Sequence, residues 1–214
     1  MKTAAACLLA LVSWQEPRVQ PLRDALLFGG LDRPNIEAIT DPAAAARWTE
    51  VLRRAQRFMS RLRPPPSHSG EMSMVWGKRR HYERLFAAAA VPYYATERDE
   101  LAVAEEVADF VEGMRPCYEW EGFSECPRRE AAFADFWMEY HPHSSFEAFL
   151  PLFAGNRWLC AADGFDGEKE PAKAADARTR AAALLQRAKA GEDPLFRYAA
   201  AQMLADPKCF VSPY

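Results

Sequence analysis

β-Branched residues are scarce in this chain, with 9 Val, 2 Ile and 5 Thr among 214 residues. These are the side chains that fill pleated sheets, so a sandwich or barrel is excluded. There is no excess of positive charge either: 27 Lys plus Arg stand against 30 Asp plus Glu, for a net charge of −3. The global basic field of a nucleic-acid binder is therefore missing. No uninterrupted apolar run is long enough to span a bilayer. The sequence has no Gly-x-Ser-x-Gly, Ser-x-x-Lys or P-loop pattern and no Cys-x-x-Cys pair. Those absences remove the usual marks of nucleophilic hydrolases, nucleotide binders and zinc ribbons.

What remains is a chain that is 50% hydrophobic and 12% aromatic, enough to build a real core, and rich in the helix formers Ala, Leu, Glu and Arg. The expected class is all-α. At the start, Lys2 precedes the apolar run from Ala4 to Val12, and polar sequence resumes at Gln15, Glu16 and Pro17. That order has the form of a short secretory leader over residues 1–15, cleaved between Ser13 and Glu16; the competing reading is a first helix, which would lack a polar face. Removing the leader takes Cys7 with it and leaves Cys117, Cys126, Cys160 and Cys209. An even remainder in an exported chain favours disulfides. Cys117 and Cys126 flank a short aromatic loop, and Cys160 and Cys209 lie near the ends of two expected helices, so the pairs expected are Cys117–Cys126 and Cys160–Cys209.

Proline, glycine and capping residues divide the rest. A helical segment with a basic face occupies residues 16–63, a Pro-rich linker residues 64–72, and a helical domain residues 73–214. Asp41 and Pro42 open a helix in which Trp48, Leu52, Ala55, Met59 and Leu62 recur at helical spacing. Further helices are expected at 78–90, 97–112, from Pro127 to Tyr140, from a capping box at Ser144 and Glu147 to about Ala162, at 171–190, and from Asp193 to before Asp206. Residues 164–170 read as a charged loop. The total is six or seven helices. Setting Ser144 on Asp193 gives an offset of 49 residues, which also carries Cys160 onto Cys209.

The stretch Phe133-Ala134-Asp135-Phe136-Trp137-Met138-Glu139-Tyr140-His141-Pro142-His143-Ser144, followed by Phe146 and Phe149, resembles the helix–turn–helix step of tetratricopeptide-type repeats in bacterial envelope proteins. The resemblance covers residues 128–206 at most. It departs from the family in its 49-residue offset, against a period of about 34, and in lacking the Trp, Leu-Gly, Tyr and Ala signature. It implies stacked antiparallel helical hairpins and protein binding.

Three clusters are candidates for chemistry. His141 and His143, with Glu139, offer the best metal-ligand group, although the same residues serve as a helix stop around Pro142. Glu121 and Glu125, beside Trp120 and Phe123, offer paired carboxylates near aromatic rings, as glycan hydrolysis requires; an ordinary loop would expose its carboxylates and tuck its rings away. Arg54, Arg57 and Arg61 make a basic stripe that suits an anionic envelope component, or simply a solvated helix face beside Glu50. Charge is asymmetric along the chain: residues 17–80 hold 12 Lys plus Arg and 6 Asp plus Glu, while residues 81–214 hold 14 and 23. The expectation is a secreted or periplasmic, non-catalytic helical protein without a cofactor. Its partner is another protein or an anionic envelope component, with no nucleic acid and no membrane span. The alternative is a cell-wall glycan hydrolase using Glu121 and Glu125.

Overall fold

Residues 39–58, 71–90, 97–117 and 120–209 are described by the computed structural model. Among them are seven helices and no strand: α1 (Pro42–Phe58), α2 (Glu71–Ala89), α3 (Glu97–Met114), α4 (Glu125–Tyr140), α5 (Leu150–Gly167), α6 (Pro171–Ala190) and α7 (Pro194–Ala205). No helix among the described residues is long and apolar enough to cross a membrane. The expected leader, Arg61 and most of the expected linker lie outside the described residues.

Local punctuation sets several boundaries as the sequence suggests. The Asp41 carboxylate accepts from the Ala44 backbone at 2.9 Å ahead of Pro42, and Asp193 accepts from the Leu195 and Phe196 amides at 2.9 and 3.2 Å ahead of Pro194. Each carboxylate satisfies amides that a helix start leaves without a partner. Other boundaries differ. α2 begins at Glu71 rather than Lys78, so the last two residues of the expected linker are helical. α5 begins at Leu150 rather than Ser144, with no side-chain cap. Residues 142–149 instead form successive turns, because the Ser144 hydroxyl is taken by Trp137 Nε1 at 3.3 Å and Ser145 donates to Glu106. The expected charged loop at 164–170 starts later, since α5 runs on to Gly167.

Each helix packs on the next in sequence, and α7 returns to α1. α5 sits at the centre. It is buried without interruption from Leu150 to Ala162, the pattern of a helix enclosed on all sides. Phe86 of α2 is the hub of the aromatic core, with ring centroids 4.6 Å from Phe110, 4.9 Å from Phe153, 5.2 Å from Phe146 and 5.3 Å from Phe149. Trp48, Val51 and Ala55 of α1 belong to the same core. The described part of the expected 16–63 segment is thus continuous with the helices that follow it.

α4 turns a different face inward from the one its aromatics suggest. Pro127, Glu130, Ala131, Ala134 and Trp137 are buried, while Phe136 and Tyr140 are 48% and 61% exposed. Leu101 of α3 is also exposed.

Candidate functional site

Both expected cysteine pairs form. Cys117 joins Cys126 across 9 residues, with Cα atoms 5.9 Å apart, and Cys160 joins Cys209 across 49, with Cα atoms 4.4 Å apart. A buried polar chain runs between the two bridges. The Cys117 amide donates to Glu130 Oε1 at 2.8 Å, and Glu130 Oε2 pairs with Arg157 Nε at 3.0 Å. Arg157 also donates to the Tyr82 hydroxyl at 2.7 Å and to Asn156 Oδ1 at 3.4 Å, and Asn156 Nδ2 reaches the Cys209 carbonyl at 3.4 Å. Its guanidinium lies over the Tyr82 and Phe153 rings. Burial pushes the Tyr82 phenol well above its usual range, so this group stays neutral. The centre is enclosed, and its partners are already made. It joins α2, α4 and α5 through Tyr82, Glu130 and Arg157.

The candidate residues from the sequence are dispersed. Glu121 and Glu125 are exposed at the edge of the Cys117–Cys126 loop, and Phe123 projects into solvent. Trp120 donates its Nε1 to the Phe123 carbonyl at 2.7 Å, closing a local turn. His141 stacks on Trp137 with centroids 3.8 Å apart, while His143 and Glu139 are exposed. Among the described residues no three of His, Cys, Asp and Glu gather as a metal group.

The arginine stripe is corrected at Arg54. This residue is 1% exposed and donates to the Ala90 carbonyl at 2.7 Å, while Arg47, two turns earlier on the same face, donates to Ala89 at 3.3 Å. Both cations cover the carbonyl end of α2, where the helix dipole is negative. Arg54 is therefore unable to present its charge to a surface ligand. The Arg57 side chain and Arg61 lie outside the described residues.

A feature without any sequence motif is an open groove of about 1070 Å³ between α1, the turns at 142–149 and the α6–α7 junction. Small and apolar residues floor it: Ala43, Ala46, Ala148, Ala188, Pro151 and Phe196. Its charged residues are Glu50, Glu147, Glu192, Asp193, Arg47 and Arg187. Two of the carboxylates are committed. Asp193 Oδ2 receives Arg47 Nε at 2.7 Å, and Glu50 receives Arg53 at 2.7 and 2.8 Å, a contact that holds the Glu50 carboxyl below its usual range. Glu147 and Glu192 are exposed and make no side-chain hydrogen bond or ion pair with the described residues. The groove therefore combines a largely small-side-chain apolar floor with two available negative charges and one cation, Arg187, whose guanidinium donates to Met138 Sδ at 3.8 Å. Compared with known proteins, the chain matches no family model, no curated protein and no solved structure.

Proposed function

We propose that this chain is a non-catalytic, exported helical protein that holds a segment of another protein in the groove between α1 and the α6–α7 junction. The observation that carries the reading is the groove itself: an Ala- and Pro-lined floor built from α1, the 142–149 turns, the start of α5, the end of α6 and the start of α7, rimmed by the uncommitted carboxylates Glu147 and Glu192. Such a floor accepts a segment with apolar side chains at helical spacing, and the rim favours Lys or Arg at its flanks. Export is supported by the leader-like start and by the two disulfides. The pairwise packing of α4 to α7 is in keeping with the tetratricopeptide-like resemblance. Glycan hydrolysis has no comparable support, because Glu121 and Glu125 stand exposed and line neither this groove nor its neighbour.

The test uses a fluorescent amphipathic Leu/Ala/Lys peptide and its Leu/Ala/Glu counterpart, read by anisotropy. The Lys peptide is expected to bind and to weaken about ten-fold in a Glu147→Lys, Glu192→Lys double variant. Equal binding of both peptides, or an unchanged affinity in the variant, overturns the reading. For export, chain recovered from its native host is expected to start between residues 14 and 18; an intact Met1 counts against it.

A further inference from the structure

A second concavity, of about 480 Å³, opens between α4, α5 and α6, away from the peptide groove. Its floor is aromatic. Trp158 and Phe165, two turns apart on α5, are almost fully buried, and the small walls Ala132, Ala172 and Ala177 leave space above them. Trp158 Nε1 donates to Asp135 Oδ2 at 2.9 Å, which fixes the plane of the indole. Burial raises the Asp135 carboxyl above its usual range, against the pull of Trp158 and of Arg180.

The cations of the pocket lie over this floor. The Arg180 guanidinium stands 5.0 Å above the Trp158 ring centroid, and Lys173 Nζ is 5.7 Å from that of Phe165. Arg128 is the third. Among the lining residues only Asp176 is acidic, and it is paired with Arg180 Nε at 2.9 Å. Lys173 is paired with Glu170 at the surface. Arg128 has no acceptor for its side chain among the described residues. Ala172 and Lys173 belong to the first turn of α6, whose amide end adds partial positive charge on the same side.

We propose that this pocket binds a small organic anion, its flat apolar body against Trp158 and Phe165 and its phosphate or carboxylate held by Arg128 with Lys173 and Arg180. Ring and charge are both needed. A bare anion finds cations that are partly satisfied by Asp176 and Glu170, and a bare ring displaces Arg180 from Trp158 without replacing its charge contact. A ligand with both features gives the Arg128 guanidinium an acceptor while its ring takes the place of Arg180 against the indole and its charge keeps that guanidinium paired.

Calorimetric titration of the full chain tests this with three probes: 1-naphthyl phosphate, 1-naphthol and inorganic phosphate. The expected result is saturable one-to-one binding of 1-naphthyl phosphate, about ten-fold tighter than either half alone and weaker as salt rises. Arg128→Ala with Lys173→Ala should weaken it a further ten-fold or so, and Arg128→Lys should retain part of the affinity. Ala132→Glu, a change at an exposed position, should abolish binding while thermal melting stays as in the parent. Lack of saturation in the millimolar range, naphthol binding as tightly as its phosphate, or unchanged affinity in the Arg128→Ala, Lys173→Ala variant would each overturn the proposal. Loss of peptide binding in the groove variants leaves these outcomes unaffected, so the two readings fail separately.

Discussion

The α5–α6 contact and the α1–α2 contact bring two helices together by opposite means. Between α5 and α6 the side chains are removed: a Cβ placed on Gly155 would lie 2.8 Å from Leu185 Cγ, and Ala174, Ala177, Ala181 and Ala188 give α6 a flat buried edge. Between α1 and α2 the side chains are long and charged, with Arg47 and Arg54 laid across the last carbonyls of α2. The first arrangement asks little of solvation, since small apolar groups leave water readily. The second takes two guanidiniums out of water, and only because a helix end offers them negative carbonyls and Asp193 supplies a counter-charge. One contact tolerates the loss of charge and not the gain of volume; the other has the reverse sensitivity.

The largest expected effect lies where the two sides meet, at Glu130 and Arg157. Glu130→Ala leaves the Arg157 guanidinium without its buried carboxylate and the Cys117 amide without its acceptor. The expected destabilisation is at the upper end of about 3–5 kcal/mol, read from denaturant midpoints. A loss under about 1 kcal/mol would show that the centre is wetter than its burial implies. Next comes the long bridge. Opening Cys160–Cys209 by a double Ser substitution frees a 49-residue loop and should cost about 4 kcal/mol, against about 2.5 kcal/mol for the 9-residue Cys117–Cys126 loop. The reverse order would mean that loop length does not govern the stability these bridges add. Smaller again is Arg54→Met, which keeps the packing against α2 and removes the bond to Ala90; a loss of about 1.5–3 kcal/mol is expected. No loss would mean that a hydrophobic stem suffices at that helix end.

Legibility in the sequence follows the same division. Helix ends marked by backbone chemistry were readable, as at Asp193-Pro194 and at Ala190 before Gly191, since Pro and Asp dictate local geometry whatever surrounds them. The cysteine pairs were readable because parity and spacing limit the choices. Ser144 misled because its hydroxyl accepts from Trp137, a tertiary partner that no local pattern reveals. Arg54 misled for a similar reason, since its acceptor lies 36 residues away at the end of another helix. Two signals of the buried centre do stand in the sequence. Glu130 occupies the buried register of Pro127, Ala131, Ala134 and Trp137, and Arg157, together with Asn156, interrupts an otherwise apolar run from Leu150 to Ala162. A charge at a core-periodic position points to a buried partner. The groove and the cationic pocket had no such mark, because alanines from distant segments form their walls.

The smallest expected effect is a matter of pH and again sets one side against the other. Glu168, at the end of α5, accepts from the Ser124 amide and hydroxyl, each at 2.7 Å, and joins the Cys117–Cys126 loop to the central helix. Those two bonds, with a weaker pull from Lys173, hold its carboxyl below the ordinary glutamate value of 4.5. The folded form therefore binds its proton less readily than the unfolded form. Its contribution to stability is present above pH 4.5 and is lost as pH falls through the depressed folded value. Glu168→Gln should flatten the acid limb of a stability profile taken from urea midpoints between about pH 3 and 7. Glu50 on α1 is depressed in the same direction, chiefly by its bond from Arg53, but that bond stays within a single helix. Glu50→Gln should flatten the limb less, since an i,i+3 pair between a partly buried Glu50 and an exposed Arg53 organises little beyond its own turn. Asp135 carries the opposite sign: burial raises its carboxyl, so its contribution is greatest at low pH and declines as pH rises through the folded value. Asp135→Asn should accordingly steepen the rise from acid toward neutral pH where Glu168→Gln shallows it. Parallel acid limbs in the parent and Glu168→Gln would show that the Ser124 bonds do not distinguish the ionised carboxylate from its protonated form.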